Sequence, residues 1–311
     1  MVSGITTVNG STIASNFTSG PGQTTFSNDF NAGTTVTSIF GLGAFSVGGS
    51  TVYPSVAAVT ADNIQTTVSG ASLISFNGLN DTVSAGGSAP YMSLLGNSSV
   101  LNEGSGPSTV IGGNGASTVN AGSGSTTVVG GYGSLTFTGG TSSNDSITAG
   151  SGMETLNAGT GGSNTLIGGS GGTFINLTGA STGDHIIGGT GSPPNPAVTI
   201  VNATTTTGNF EIDTNPNGGG TLVALLGGGA DTVIGGGGSS IITAGSGPDV
   251  FGFVNGHAGG SEYILGFNAQ DNMLFSGYTT PLTEQVTGGS DTITLGDGTT
   301  IVLLGIDHKV F

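Results

Sequence analysis

From Thr67 onward the apolar residues return every nine positions. Written in nines the segment reads TVSGASLIS, FNGLNDTVS, AGGSAPYMS, LLGNSSVLN, EGSGPSTVI, GGNGASTVN, AGSGSTTVV, GGYGSLTFT, and the frame holds through Thr138. The eighth column is Ile74, Val83, Met92, Leu101, Val110, Val119, Val128 and Phe137, large and apolar throughout. In the last four blocks the second and fourth columns are entirely glycine. Such a block predicts a tight turn, in which glycine supplies positive φ, followed by a short strand. The eighth-column side chain of that strand points inward and its neighbours point to the other face. Two nonads make one coil, with two short sheets around a thin apolar core.

After Thr138 the frame slips by single residues, as in the ten-residue blocks GGTSSNDSIT and AGTGGSNTLI. The run SPPNPAV (Ser192 to Val198) interrupts it and predicts an irregular loop near residues 192–220. The frame returns as LGGGADTVI, GGGGSSIIT and AGSGPDVFG over residues 226–252. The predicted fold is all-β: a parallel β-solenoid over residues 67–252, with β-rich caps at 1–66 and 253–311. The first cap, also readable as an assembly module, holds TTVTSIFGLGAFSVGGSTVYPSVAAVT (Thr34 to Thr60), which alternates as strands do.

Composition changes the picture in two ways. Glycine provides 64 of the 311 residues, which by itself argues for disorder. A hydrophobic share of 34% set at a fixed period argues instead for a folded repeat. One cationic side chain, Lys309, stands against 17 Asp and Glu, a formal charge of −16. Nothing in such a chain neutralises phosphates, so nucleic acid is not an expected partner, nor is insertion into a membrane. Multivalent cations are the natural counter-charge. The N-terminal residues lack the basic and apolar regions of a secretory signal, and there is no cysteine.

The acids have a pattern of their own. In GGGADTVIGGGGSSIITAGSGPDVF (Gly227 to Phe251), Asp231 and Asp249 hold sixth positions two nonads apart, with Ser240 midway. Two nonads are one coil, so the two aspartates share an edge and Ser240 lies on the opposite one. The nonad G-G-x-G-x-D-x-U-x resembles the repeat of RTX proteins, the hemolysin-type calcium-binding family. The resemblance implies calcium between successive turns, held by sixth-position aspartates with the turn glycines. Carried onto this sequence, it marks Asp231, Asp249, Gly229 and Gly247, then Asp81, Asp145 and Asp271. A neutral hydroxyl cannot replace a carboxylate toward a hard dication, so no calcium is expected beside Ser240. From Thr67 the sixth column otherwise reads Ser72, Pro90, Ser99, Ser108, Ser117, Thr126 and Leu135, so most coils are expected to be calcium-free. Glu154 and Asp184 stand as isolated acids, and the plainer role for any such residue is to cap a turn.

DVFGFVNGHAGGSEYILGFNAQDNMLFSGY (Asp249 to Tyr278) resembles the segment after the repeats in that family, with Glu262 where Asp is common. GGSDTITLGDGTTIVLLGIDHKVF (Gly288 to Phe311) resembles the terminal hairpins of type I secretion substrates, with a turn at Gly296 to Gly298. The resemblance thus implies a bacterial protein that is secreted, extracellular or on the cell surface.

Catalytic groupings are not found. His185, His257 and His308 are scattered, no HExxH occurs, and GGSGG around Ser170 is a chance match in a glycine-rich chain. The expected function is therefore structural rather than enzymatic: self-assembly into a filament or S-layer-like matrix, stabilised partly by calcium. Its partners would be further copies of itself and cell-surface polysaccharide. The alternative is an adhesin or ice-binding solenoid, suggested by the seventh-column row Thr109, Thr118, Thr127, Thr136.

Overall fold

The computed structural model describes residues 79–86 and 98–311, except 142–143, 180–181, 192–195, 215–218, 258–259 and 280–281, and elsewhere the strands alone. The chain divides into two compact units, residues 1–150 and 151–311. Among the described residues there is no helix.

In the first unit β1 (Val2–Val8) and β2 (Ser11–Phe17) pair antiparallel. Short strands follow: β3 (Ile39–Phe40), β4 (Phe45–Ser46), β5 (Val56–Val59), β6 (Gln65–Ser69), β7 (Leu73–Phe76), β8 (Thr82–Gly86) and β9 (Met92–Leu94). Next come β10 (Ser99–Asn102), β11 (Ser108–Gly112), β12 (Ser117–Asn120), β13 (Thr126–Val129), β14 (Leu135–Thr138) and β15 (Ser146–Thr148). From β4 to β14 the even-numbered strands form one sheet, and from β3 to β15 the odd-numbered strands form the other. β3 and β4 join antiparallel, and from β5 on neighbours are parallel. Val110 lies opposite Val128, and Val119 opposite Phe137, each step spanning one coil of two nonads. A parallel pair needs a crossover, and here each strand's crossover passes through the other sheet. Val83, Leu101, Val119 and Phe137 of the even sheet are at most 1% exposed, as are Met92, Val110, Val128 and Ile147 of the odd sheet. Each such burial stabilises the fold by about 1.5–3 kcal/mol.

The second unit repeats this plan with β16 (Glu154–Asn157), β17 (Thr165–Ile167), β18 (Thr173–Asn176), β19 (Asp184–Ile187), β20 (Val198–Asn202), β21 (Phe210–Asp213) and β22 (Thr221–Leu225). It continues with β23 (Thr232–Ile234), β24 (Ser239–Thr243), β25 (Val250–Val254), β26 (Ser261–Leu265) and β27 (Asn272–Ser276). The chain ends with β28 (Thr283–Thr287), β29 (Ser290–Thr294) and β30 (Thr300–Leu304). The even sheet runs from β16 to β26 and then β30, which extends it in parallel; β29 and β28 follow antiparallel. The odd sheet runs from β17 to β27.

Two expectations are corrected here. The irregular loop expected near residues 192–220 contains β20 and β21, both in the ladders. Phe174 pairs with Ile200, so this coil is longer than two nonads, yet β18 and β20 stay in register. The solenoid also does not stop at residue 252, because β26 and β27 continue both ladders. Among the described strands of the second unit, only β28 and β29 depart from the coil. The terminal turn falls where GDG predicted it, between β29 and β30, with the Asp297 carboxylate accepting from Thr299 N–H at 3.0 Å. The last residues fold back on this hairpin: Glu284 accepts the Val310 and Phe311 N–H groups at 2.6 and 3.0 Å, and Phe311 meets the Phe275 ring edge-on.

Candidate functional site: the inner carboxylate columns

Alternation along a strand places residue i−2 on the same face as residue i. The sixth-position side chain precedes the inner apolar residue by two, so it too turns inward. Each sheet therefore carries a second inner column along the edge where strands begin. In the second unit the odd-sheet column is Asn164, Asp184, Phe210, Asp231, Asp249 and Asp271, none more than 7% exposed. The even-sheet column is Glu154, Thr173, Thr199, Leu222, Ser240 and Glu262, none more than 3% exposed.

The odd-sheet aspartates are bound in a regular way. Each accepts, through one carboxylate oxygen, the backbone N–H of its column neighbour one coil earlier. Asp184 takes Asn164 N–H at 3.0 Å, Asp231 takes Phe210 N–H at 3.2 Å, Asp249 takes Asp231 N–H at 3.1 Å, and Asp271 takes Asp249 N–H at 2.9 Å. In the first unit Asp145 takes Thr126 N–H at 2.8 Å in the same manner. These N–H groups sit where strands begin and the ladder has not yet taken hold, and the carboxylate satisfies them inside the core. The second oxygen of Asp249 accepts Gly245 N–H at 3.0 Å, and that of Asp271 accepts Asn268 N–H at 2.9 Å. Asp231 Oδ2 is buried and makes no full hydrogen bond.

Of the residues expected to hold calcium, the structure thus brings Asp231, Asp249 and Asp271 onto one edge. Gly229 and Gly247 stand in the turns just before the first two. A Cβ on Gly247 would lie 1.7 Å from the Gly229 carbonyl oxygen, and one on Gly229 would lie 2.2 Å from that of Gly208. Coil stacking by itself therefore demands glycine at both positions. In the first unit Asp81 is fully buried on the even-sheet edge, in line with Ser99, whereas Asp145 lies on the odd-sheet edge. Those two do not meet. Ser170 is exposed in the turn between β17 and β18, and His185 lies on the outer face 3.6 Å from Glu211.

Burial weakens three of these acids, Asp231, Asp249 and Glu262. Asp231 is pushed up to about 7, first by desolvation and then by the Asp249 charge, against the N–H groups of Phe210 and Gly227. Desolvation likewise raises Asp249, opposed by the Gly245 and Asp231 N–H groups. On the opposite edge Glu262 is raised to about 8 by desolvation, only partly offset by the Gly236 N–H. Neither of its carboxylate oxygens makes a full hydrogen bond, and nor does the buried Ser240 hydroxyl beside it in the column. The burial of Glu262 escaped the nonad frame, which has slipped there. The acid-x-aliphatic spacing would have found it: Glu262 precedes inner Ile264 as Asp145 precedes Ile147 and Glu154 precedes Leu156.

Calcium takes roughly six to eight oxygens around one point. Here the carboxylate oxygens of Asp249 and Asp271 face N–H groups, and among the described residues no three His, Asp or Glu side chains are grouped to hold a metal. As arranged, the column caps backbone and does not form a calcium shell. No protein-family model and no curated protein matches the chain. What the fold defines is a β-solenoid in each unit.

Proposed function

We propose that this is a secreted, RTX-type structural protein that self-assembles into a filament or S-layer-like matrix, with calcium as a contributing ion. The observation that carries the proposal is the repeated, in-register outer surface of the coils, built almost wholly from uncharged residues in a chain of net charge −16. A surface that repeats along its own axis offers the same contact many times over, which suits a polymer. Calcium at Asp231 and Asp249 would have to displace the Asp231 and Gly245 N–H groups from Asp249, leaving Asp231 Oδ2 as the first oxygen to meet it. Elsewhere calcium would act by neutralising the excess of carboxylates.

The row of threonines behind the ice-binding alternative is split by the fold. Thr109 and Thr127 pair in the odd sheet and Thr118 and Thr136 in the even sheet, so each face carries two in sequence rather than four. Assembly is the better supported of the two.

The test is negative-stain electron microscopy in millimolar calcium and after chelation. Fibres or lattices that disperse on chelation are expected. Assemblies that survive chelation would keep the polymer and remove calcium from it. Single particles in both conditions would sink the proposal.

A further inference from the structure

The outer face of the even sheet in the second unit is apolar in a single file. Phe174, Ile200, Val223, Ile241, Tyr263 and Val302 stack in register, one per coil. Outward positions on a half-buried sheet are usually polar. Here Phe174 is 37% exposed, Ile241 46% and Tyr263 40%, and in the file two residues on Leu225, Leu265 and Leu304 add to the apolar surface, with Thr243 between the first two. The file begins at a polar residue, Thr155, and beyond Val302 it passes to Thr292 and Gln285. The patch is thus bounded and rimmed by polar groups, as interaction surfaces are. No outward residue of β16, β18, β20, β22, β24, β26 or β30 is charged, although the chain carries 17 acids.

We infer that this face is the contact through which one copy of the chain packs against a second copy; the inference rests on the self-assembly proposed above. Two features select that occupant. An uncharged face offers a basic or acidic partner nothing to pair with, whereas two such faces can meet while the acids of both copies stay in water. The side-chain rows recur at the strand spacing of about 4.8 Å, and a surface of the same pitch seats its own rows between them. The same face of another copy has that pitch by construction.

The size of the face sets the strength of the contact. Seven strands with two or three outward residues each give roughly 29 by 15 Å, or about 900 Å² over both copies. That is below the roughly 1,200 Å² of a stable pairwise interface. One contact is therefore weak, and repetition through an array makes it persistent.

The test compares sedimentation velocity and negative-stain images of three proteins: wild type, Ile241→Thr/Tyr263→Thr, and Ile234→Thr/Val254→Thr as the control on the odd sheet. All three should keep β-sheet circular dichroism and the same melting midpoint within a few degrees. The even-face variant should associate at least tenfold more weakly, while the control assembles as wild type does. If the even-face variant assembles like wild type, this contact is refuted and self-assembly stands. If wild type stays single at every concentration, both fall. A second measurement covers misfolding of the double variant. The chain has no cysteine, and Val223 lies midway along the file, where a two-fold contact brings a residue against its own copy. Val223→Cys with a short bis-maleimide should give covalent dimers and Ile234→Cys should not. Equal yields from the two would also overturn the inference.

Discussion

The even sheets of the two units have the same inside and different outsides. Within, Leu101, Val119 and Phe137 in the first unit match Ile175, Ala224 and Ile264 in the second, all fully buried. Without, the first unit presents Val100, Thr118 and Thr136 in register, and the second presents Phe174, Ile200, Val223, Ile241 and Tyr263. The inner column meets the opposite sheet across a thin core, so its chemistry is dictated by packing. The outer column meets solvent or a partner, and the coil forms with threonine there as well as with isoleucine. Stability therefore resides in the inside pattern, and function has room to reside in the outside one.

The sharpest way to break this comparison is to remove one aromatic ring from each side of the second unit. Phe251 is 1% exposed and meets the Phe267 ring at 6.0 Å; Phe174 is 37% exposed. Phe251→Ala should cost about 3–5 kcal/mol, a cavity in a core that cannot collapse far. Phe174→Ala should cost under about 1 kcal/mol. Urea unfolding of the isolated protein in chelator measures both. Similar losses would mean that the outer file also supports the fold.

Comparable in size is the effect of the buried Glu262. Its pKa in the fold, about 8, lies above the ordinary 4.5, so the folded state holds its proton more tightly than the unfolded chain does. Stability is then full below pH 4.5, falls as pH rises toward 8, and falls no further from this group above that. Glu262→Gln resembles the protonated acid, so it should change little at pH 4.5 and stabilise by on the order of 4–5 kcal/mol at pH 8.5. Asp231, raised to about 7 by burial, slopes the same way, so the variant should flatten the profile without abolishing it. The check is the denaturant midpoint at both pH values in chelator. A wild-type midpoint that does not move between them would show that the burial cost is relieved by a group outside this column.

The inner apolar column could be read from the sequence because a nine-residue period is long enough to be unambiguous and packing tolerates no exception to it. The sixth-position burial is equally present there, as acid-x-aliphatic spacing, but a nonad frame marks the edge on which a residue lies and not the face to which it turns. What the aspartates bind was not legible. Whether Asp249 reaches the Asp231 N–H or an ion depends on how tightly successive turns nest, which one sequence does not state. The four seventh-column threonines misled because consecutive nonads alternate between sheets, so neighbours in the column are not neighbours in space. The hold of Glu284 on the last two N–H groups was also hidden, since it joins residues 26 and 27 positions apart outside any repeat.

The smallest effect sharpens the comparison from the other direction, at outward positions that the two units share. Asn120 Nδ2 donates to Asn102 Oδ1 at 2.8 Å in the first unit, and Asn176 Nδ2 donates to Asn157 Oδ1 at 2.9 Å in the second. Both pairs sit at the outward end of their strands, half-buried, where one amide can satisfy the next coil's amide in register. A neutral side-chain hydrogen bond of this kind contributes about 0.5–1.5 kcal/mol. Asn120→Ala and Asn176→Ala should therefore cost about 1 kcal/mol each and cost it equally, because the local geometry is the same in both units. Asn176 also accepts from Asn202 Nδ2, but at 3.5 Å that contact adds little. A loss confined to Asn176→Ala would mean that the apolar file beside it, and not the amide pair, sets the stability of the second unit's outer surface. Equal losses would mean that the amide pairs contribute alike in both units, whatever outer side chains stand beside them.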